Sequence, residues 1–255
     1  MKSEQLLNLL ATQLSQQQIL VVDLTAPLCD DTPVIRLPPE RGQPWPFRRE
    51  VISRYDDKGQ EVYWNNISMS EHTGTHFDAP VHWISGKEFT DVSQVPVQDL
   101  VGPAAVIDVS VHLDSPDFLL ERRHIEQWCE THGPLPAGGW LLYRTGWDAR
   151  DQDVHAFLND GHTPGISVEC ARWLAQETPI KGIGVETVGT DAGQAKHFEP
   201  AYPVHWYMHG ANKYGLTQLK NLKHLPPTGA IVVVSPLPIV GGSGSPCRAY
   251  ALVSE

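Results

Sequence analysis

Eleven residues, His72 to His82, hold three histidines and one aspartate in the stretch SEHTGTHFDAPVHW. In an extended strand His72, Gly74, His76 and Asp78 would share one face. His72 and His76 would then lie about 13 Å apart at Cα, at roughly 3.3 Å per residue, too far to meet at one ion. The chain must therefore curl between them. A helical turn would also bring i and i+4 together, but Thr73, Gly74 and Thr75 are poor helix formers. Gly74 permits an irregular turn instead. The stretch thus predicts a curled loop following a strand, with Pro80 redirecting the chain so that His82 returns over the site.

Two imidazoles and a carboxylate suit zinc, manganese or iron(II), and leave coordination positions open for water and substrate. No cysteine is near enough for a thiolate structural site. His82 is either a further ligand or a base acting on a water at the metal.

The rest of the chain sets the frame. With 255 residues and 41% hydrophobic content it can bury a sizeable core, and nothing in it marks a linker, so a single domain over 1–255 is expected. Thirty acidic against 19 basic residues give a net charge of −11, which excludes a phosphate-neutralising nucleic-acid binder. Cys29, Cys129, Cys170 and Cys247 form no CxxC pair, so a zinc ribbon is excluded and reduced cytoplasmic thiols are expected. Residues 1 to about 18 carry Leu6, Leu7, Leu9, Leu10 and Leu14 among polar residues, an amphipathic helix suited to packing against a partner subunit rather than an export signal. No apolar run is long enough to span a membrane. A cytoplasmic protein is the expectation.

Strands are predicted at 19–25, 104–110 and around GWLLYRTGW, IKGIGVET, GAIVVVSPLP and CRAYALVSE. A hairpin is expected about Lys58-Gly59. Helices are predicted over 122–132, ended by Gly133, and after Ser167, whose hydroxyl caps the start. The order gives mixed α/β with no simple βαβ alternation. The run Gly241–Pro246 lacks a following Lys-Ser/Thr and is no phosphate loop.

The motif His72-Thr73-Gly74-Thr75-His76-Phe77-Asp78-Ala79-Pro80-Val81-His82 also resembles a family signature, H-x-G-T-H-x-D-x-P-x-H. It is that of the cyclase-like metal-dependent hydrolases, which include bacterial kynurenine formamidases and isatin hydrolases. GVETVGTDAG (184–193) and the segment from Leu225 to Leu252 extend the likeness, which runs from about residue 19 onward. The resemblance implies a swivelling β/β/α fold, a mixed sheet core with peripheral helices, in homodimers or larger oligomers. It implies metal ligands His72, His76 and Asp78, and a catalytic His82. In the formamidases a second zinc is held partly by a later histidine and by a glutamate twelve residues beyond it. Here that histidine falls on His205, and the twelfth residue on is Thr217, followed by Gln218. Without a bridging carboxylate two close cations repel, so one ion is expected.

That departure points to the isatin hydrolase branch, with one Mn²⁺ per chain, Zn²⁺ being the alternative. The expected substrate is then a small aromatic cyclic amide. Trp64, Phe77, Trp83 and Trp206 are the candidates to hold its flat ring. His205 also counts among the substrate-side residues, and His209 and Asn212 could hydrogen-bond a carbonyl. Two other readings stand beside this one: a zinc arylformamidase or lactone hydrolase, and a non-catalytic member that binds an aromatic acid.

Overall fold

The computed structural model describes residues 3–254. In chain order the elements are α1 (Ser3–Ser15), β1 (Ile19–Asp23), β2 (Arg48–Asp56), β3 (Gly59–Ser68), β4 (His76–Asp78), β5 (Val101–Asp108), β6 (Leu119–Leu120), α2 (Arg122–His132), β7 (Trp140–Arg144), α3 (Val154–Leu158), β8 (Gly165–Ile166), α4 (Val168–Glu177), β9 (Gly182–Val185), β10 (Tyr214–Thr217), β11 (Ile231–Pro236) and β12 (Gly244–Ser254). Short helical turns fill several of the connections.

The mixed α/β expectation holds, with one difference. β5, β7, β9 and β10 run parallel, in that order. α2 lies on the crossover from β5 to β7, and α4 on the one from β7 to β9. βαβ alternation is therefore present at the centre. The strands around GWLLYRTGW and IKGIGVET and the helices at 122–132 and after Ser167 were expected singly, and it is their parallel pairing that makes the alternation. These strands are covered on both faces, which is why they read as near-continuous apolar runs. Trp140 and Leu142 point into one core with Phe77, Leu216, Val232 and Ala251. Leu141 and Tyr143 alternate to the other face, packing with Ile125 of α2 and Leu174 of α4.

Antiparallel β11 and β12 extend this parallel set, and β1 pairs along the far edge of β12. β12 begins at Gly244, three residues before the predicted strand, because the GSP segment pairs with β4. The three residues of β4 lie between β12 and β10: His76 opposite Pro246 and Thr217, Asp78 opposite Gly244 and Gly215. That double pairing closes the sheet into a barrel-like ring, with the motif as its seam.

The capping expectations hold. Gly133 follows α2 at φ 89°, and Ser167 Oγ accepts from Cys170 N at 3.3 Å. The hairpin β2–β3 and helix α1 stand apart from both cores. α1 has no buried residue, and Leu6, Leu7, Tyr63, Trp64 and Ile67 are exposed. All four cysteines are free. Among the described residues no helix is long and apolar enough to cross a membrane.

Candidate metal centre

The motif folds as its sequence demands. After β3 the chain turns through residues 69–75, with Gly74 at φ +69°. That left-handed conformation is one that side chains with a Cβ rarely adopt, so the turn calls for glycine. Strand alternation in β4 then sends His76 and Asp78 to one side and Phe77 to the other. Pro80–His82 forms a 3₁₀ turn that returns His82 over the cluster.

Both predicted imidazole ligands converge on one oxygen. His72 Nδ1 lies 2.8 Å, and His76 Nε2 3.4 Å, from Asp78 Oδ1. His76 Nδ1 donates to the Gly74 carbonyl at 2.7 Å, which leaves its Nε2 as the lone-pair nitrogen. Thr217 Oγ1 packs 3.1 Å from that Nε2. His72 is fixed from behind. Ser243 Oγ donates to Glu71 Oε2 at 2.7 Å, so its lone pair takes the His72 Nε2–H at 2.8 Å. The His72 Nδ1 lone pair then faces a carboxylate oxygen, an arrangement that calls for a cation between them, either a proton or a metal ion.

His82 stacks on His72 with ring centroids 4.0 Å apart. His72, Asp78 and His82 each offer a ligand atom within 4.8 Å of the others, and so do Asp78, His205 and His209. The geometry thus admits His82 as ligand or as base. His205 and His209 come from a one-turn π-helix, His205–His209. Asp191 anchors its start, accepting from Val204 N at 2.7 Å and from His205 Nδ1 at 2.5 Å. His209 Nδ1 donates to the Lys213 carbonyl at 3.1 Å, and its Nε2 is buried with no partner.

Electrostatics favour neutral imidazoles. Burial pushes His76 and His209 down to about 4, and holds His82 well below its usual value, against the opposing pull of Asp78. His205 is the exception: burial opposes its charge, but the Asp191 hydrogen bond raises it. Asp78 is buried, which disfavours its charge, yet the imidazoles beside it, His76 first, hold it well below the usual carboxylate range. One anionic oxygen beside the buried imidazoles of His76, His82 and His209, the last with an orphaned Nε2, fits a divalent ion of the borderline class.

The substrate-side expectations divide. Trp83 borders the cluster, its ring 4.8 Å from that of His205, and His205 and His209 lie inside it. Phe77 does not: it is fully buried on the core side of β4, 5.2 Å from the Tyr214 ring. Asn212 sits exposed in a turn at φ +57°, where its Oδ1 accepts from Thr90 Oγ1 at 3.5 Å rather than from a group of the cluster. Trp206 points outward on the π-helix, and Trp64 is exposed on the hairpin; neither ring contacts the cluster within this chain. Asp191, Glu71 and Ser243 were not singled out as site residues, and Thr217 was noted only as standing where the formamidases carry a glutamate. Their one sequence signal was a polar residue in otherwise buried segments such as GTDAG and YGLT.

Fold and cluster together define an α/β protein with a closed mixed sheet and a histidine-rich cluster whose side chains could hold a metal ion. The chain belongs to the cyclase family: residues 22–192 match the family model described as putative cyclase. It is 42% identical over 263 residues to an isatin hydrolase from Roseibium aggregatum, with all of both chains covered. A kynurenine formamidase from Salinibacter ruber is 29% identical over 212 residues, covering 80% of this chain and 89% of that one. The crystal structure of an isatin hydrolase bound to the product analogue thioisatinate superposes with a TM-score of 0.97 at 41% identity, covering 100% of each chain.

Proposed function

We propose that this protein hydrolyses a cyclic aromatic amide, with isatin as substrate and isatinate as product, at one divalent ion held by His72, His76 and Asp78. The observation that carries the reading is the convergence of both imidazoles on Asp78 Oδ1, with His82 stacked on His72. The full-length likeness to an isatin hydrolase supports the substrate. A metal ion there would supply Lewis acidity to the amide carbonyl and acidify a water.

The residues of the chain do the rest. Asp78 provides the anionic ligand. Gly74 and Ser243 hold the two imidazoles in the tautomers that present free lone pairs. His82, neutral and partly buried, accepts the proton of the attacking water and returns it to the amide nitrogen as the C–N bond breaks. Trp83 supplies an aromatic wall beside His205. Mn²⁺ is the proposed ion. Thr217, not a carboxylate, stands against His76, so the negative charge that a second cation would need is missing there.

The second reading, a dizinc arylformamidase, takes its support from the formamidase relatives and loses it at Thr217. Protein saturated in turn with Mn²⁺ and Zn²⁺ should consume isatin fastest with Mn²⁺, and should bind about one ion per chain. Turnover of N-formylkynurenine without turnover of isatin would reject the proposal.

The same reading places the protein in the cytoplasm as a homodimer. Its four free cysteines suit a reducing compartment. The exposed apolar side chains of hairpin β2–β3 supply a surface for a second copy. Light scattering should give twice the chain mass.

A further inference from the structure

Residues 32–47 connect β1 to β2 with no helix or strand of their own. A connection of that length is uncommon in a compact fold and usually carries function. Both of its ends are tied to the turn that leads into the metal motif. At the far end the Trp45 carbonyl accepts from Thr73 Oγ1 at 2.9 Å and from Ser70 N at 3.1 Å. At the near end the tie runs through Gln218. Its Nε2 donates to the Pro33 carbonyl at 3.1 Å, while its own carbonyl accepts from Thr75 Oγ1 at 2.6 Å.

Between the two ties the loop is bonded to itself. Gln43 binds the backbone of Leu37, Pro38 and Arg41. Among the described residues no hydrogen bond joins 34–44 to the rest of the chain. The loop is therefore a unit that keeps its own shape and is placed by its two roots. Gln218 is built for the near root. It is 3% exposed and sits at φ 52°, a left-handed conformation uncommon for a residue with a Cβ. Such a conformation persists where the surroundings impose it. Here the bonds to Pro33 and Thr75, and a third from Gln218 N to the Thr187 carbonyl at 2.9 Å, do so.

The loop has something to cover. Ile35 and Leu37 line a cavity of about 450 Å³, with Leu158, Val188, Tyr202 and His205 among the residues around it. That volume lies in the range of small-molecule sites. The cavity meets the histidine cluster at His205. The His205 ring stands 5.4 Å from that of His82 and 4.8 Å from that of Trp83, and His205 offers a ligand atom beside Asp78. A flat amide whose carbonyl reaches the ion would extend past these rings toward Ile35 and Leu37.

We propose that Gln218 is a positioning residue for the substrate: it docks the loop 33–45 so that Ile35 and Leu37 wall the cavity that receives the aromatic ring, a role that rests on the isatin reading above. Its amide nitrogen is committed to Pro33, so it acts on ring binding and not on the metal.

The test compares wild type with Gln218→Met, which removes the donor and keeps the side chain unbranched. The backbone bonds to Thr75 and Thr187 remain. In Mn²⁺-loaded protein, KM for isatin should rise about three- to tenfold, as for the loss of one hydrogen bond, with kcat and Mn²⁺ affinity little changed. Ile35→Ala should raise KM as well, and should add almost nothing in the Gln218→Met background, because both act through one wall. The loop carries Arg36 and Arg41, so trypsin reads its docking without an activity assay. Gln218→Met should be cut there about three- to tenfold faster than wild type, as the undocked population rises. If Gln218→Met fails to fold, Gln218→Asn, whose amide is too short to reach Pro33, carries the same comparisons. A wild type that leaves isatin intact would defeat the substrate reading, and the trypsin comparison would still decide the docking. Equal cleavage of variant and wild type, an unchanged KM, or a rise in KM matched by an equal loss of Mn²⁺ affinity would overturn the proposal.

Discussion

At the scale of single residues, the site depends on groups that never touch a substrate. Ser243 spends its one proton on Glu71 and accepts from His72. Ser243→Ala should therefore free the His72 ring to rotate and lower metal affinity by about 10- to 100-fold, as removal of such supporting partners does elsewhere. A metal-chelator competition reads this directly, without an activity assay. His82 is the residue whose role the geometry leaves double, since it can reach the ion or the water. If it is the base, His82→Ala keeps its metal and loses about 10²- to 10⁴-fold in kcat. A metal-free His82→Ala protein that recovers activity with excess Mn²⁺ would instead make it a ligand. Metal content and kcat on the same purified variant decide between them.

At the scale of elements, what the sequence made legible was local. The HTGTHFDAPVH spacing predicted the curl at Gly74 and the return of His82, because both follow from chain geometry within eleven residues. Phe77 shows the limit of the same reasoning. Its neighbours suggested a place in the pocket, yet the period of two in β4 turns it into the core. Ser243 was not legible as a site residue, because it reaches His72 across 171 residues of chain. The run GSGSP reads as loop by composition, and only its pairing with β4 makes it strand. Gly244 shows how tight that pairing is. A Cβ there would fall 2.5 Å from the Phe77 carbonyl and 2.7 Å from His72 Cε1. Gly244→Ala should cost about 1–3 kcal/mol of stability through overpacking, and should cut metal affinity with it. Urea unfolding of the apo and loaded forms would separate the two effects; an unchanged affinity would mean that β12 moves without disturbing His72.

At the scale of the whole molecule, the buried carboxyl of Glu186 ties stability to pH. Burial, with Asp148 beside it, raises its pKa from 4.5 to about 7. The folded protein then holds this proton more tightly than the unfolded chain does. The stabilisation is complete below about pH 4.5 and is lost as pH rises toward 7 and past it. At 1.36 kcal/mol per pKa unit the loss is on the order of 3 kcal/mol. Urea unfolding of the metal-loaded protein in amine-free buffer should show wild type losing stability between pH 5.5 and 8. Glu186→Gln should lack that component, and parallel curves for the two proteins would refute the assignment.

The seam of the barrel has a consequence for how the protein is made. β4 is only three residues long and is held between β10 and the first residues of β12, the final strand of the ring. A chain still emerging from the ribosome carries His72, His76, Asp78 and His82 long before Gly244 leaves the exit tunnel. Until then β4 lacks one of its two neighbours, and His72 lacks Ser243. If the proposed site takes up an ion, it does so as a late, post-release event, and nascent chains stalled before residue 243 should fail to retain the Mn²⁺ that the finished protein is proposed to bind.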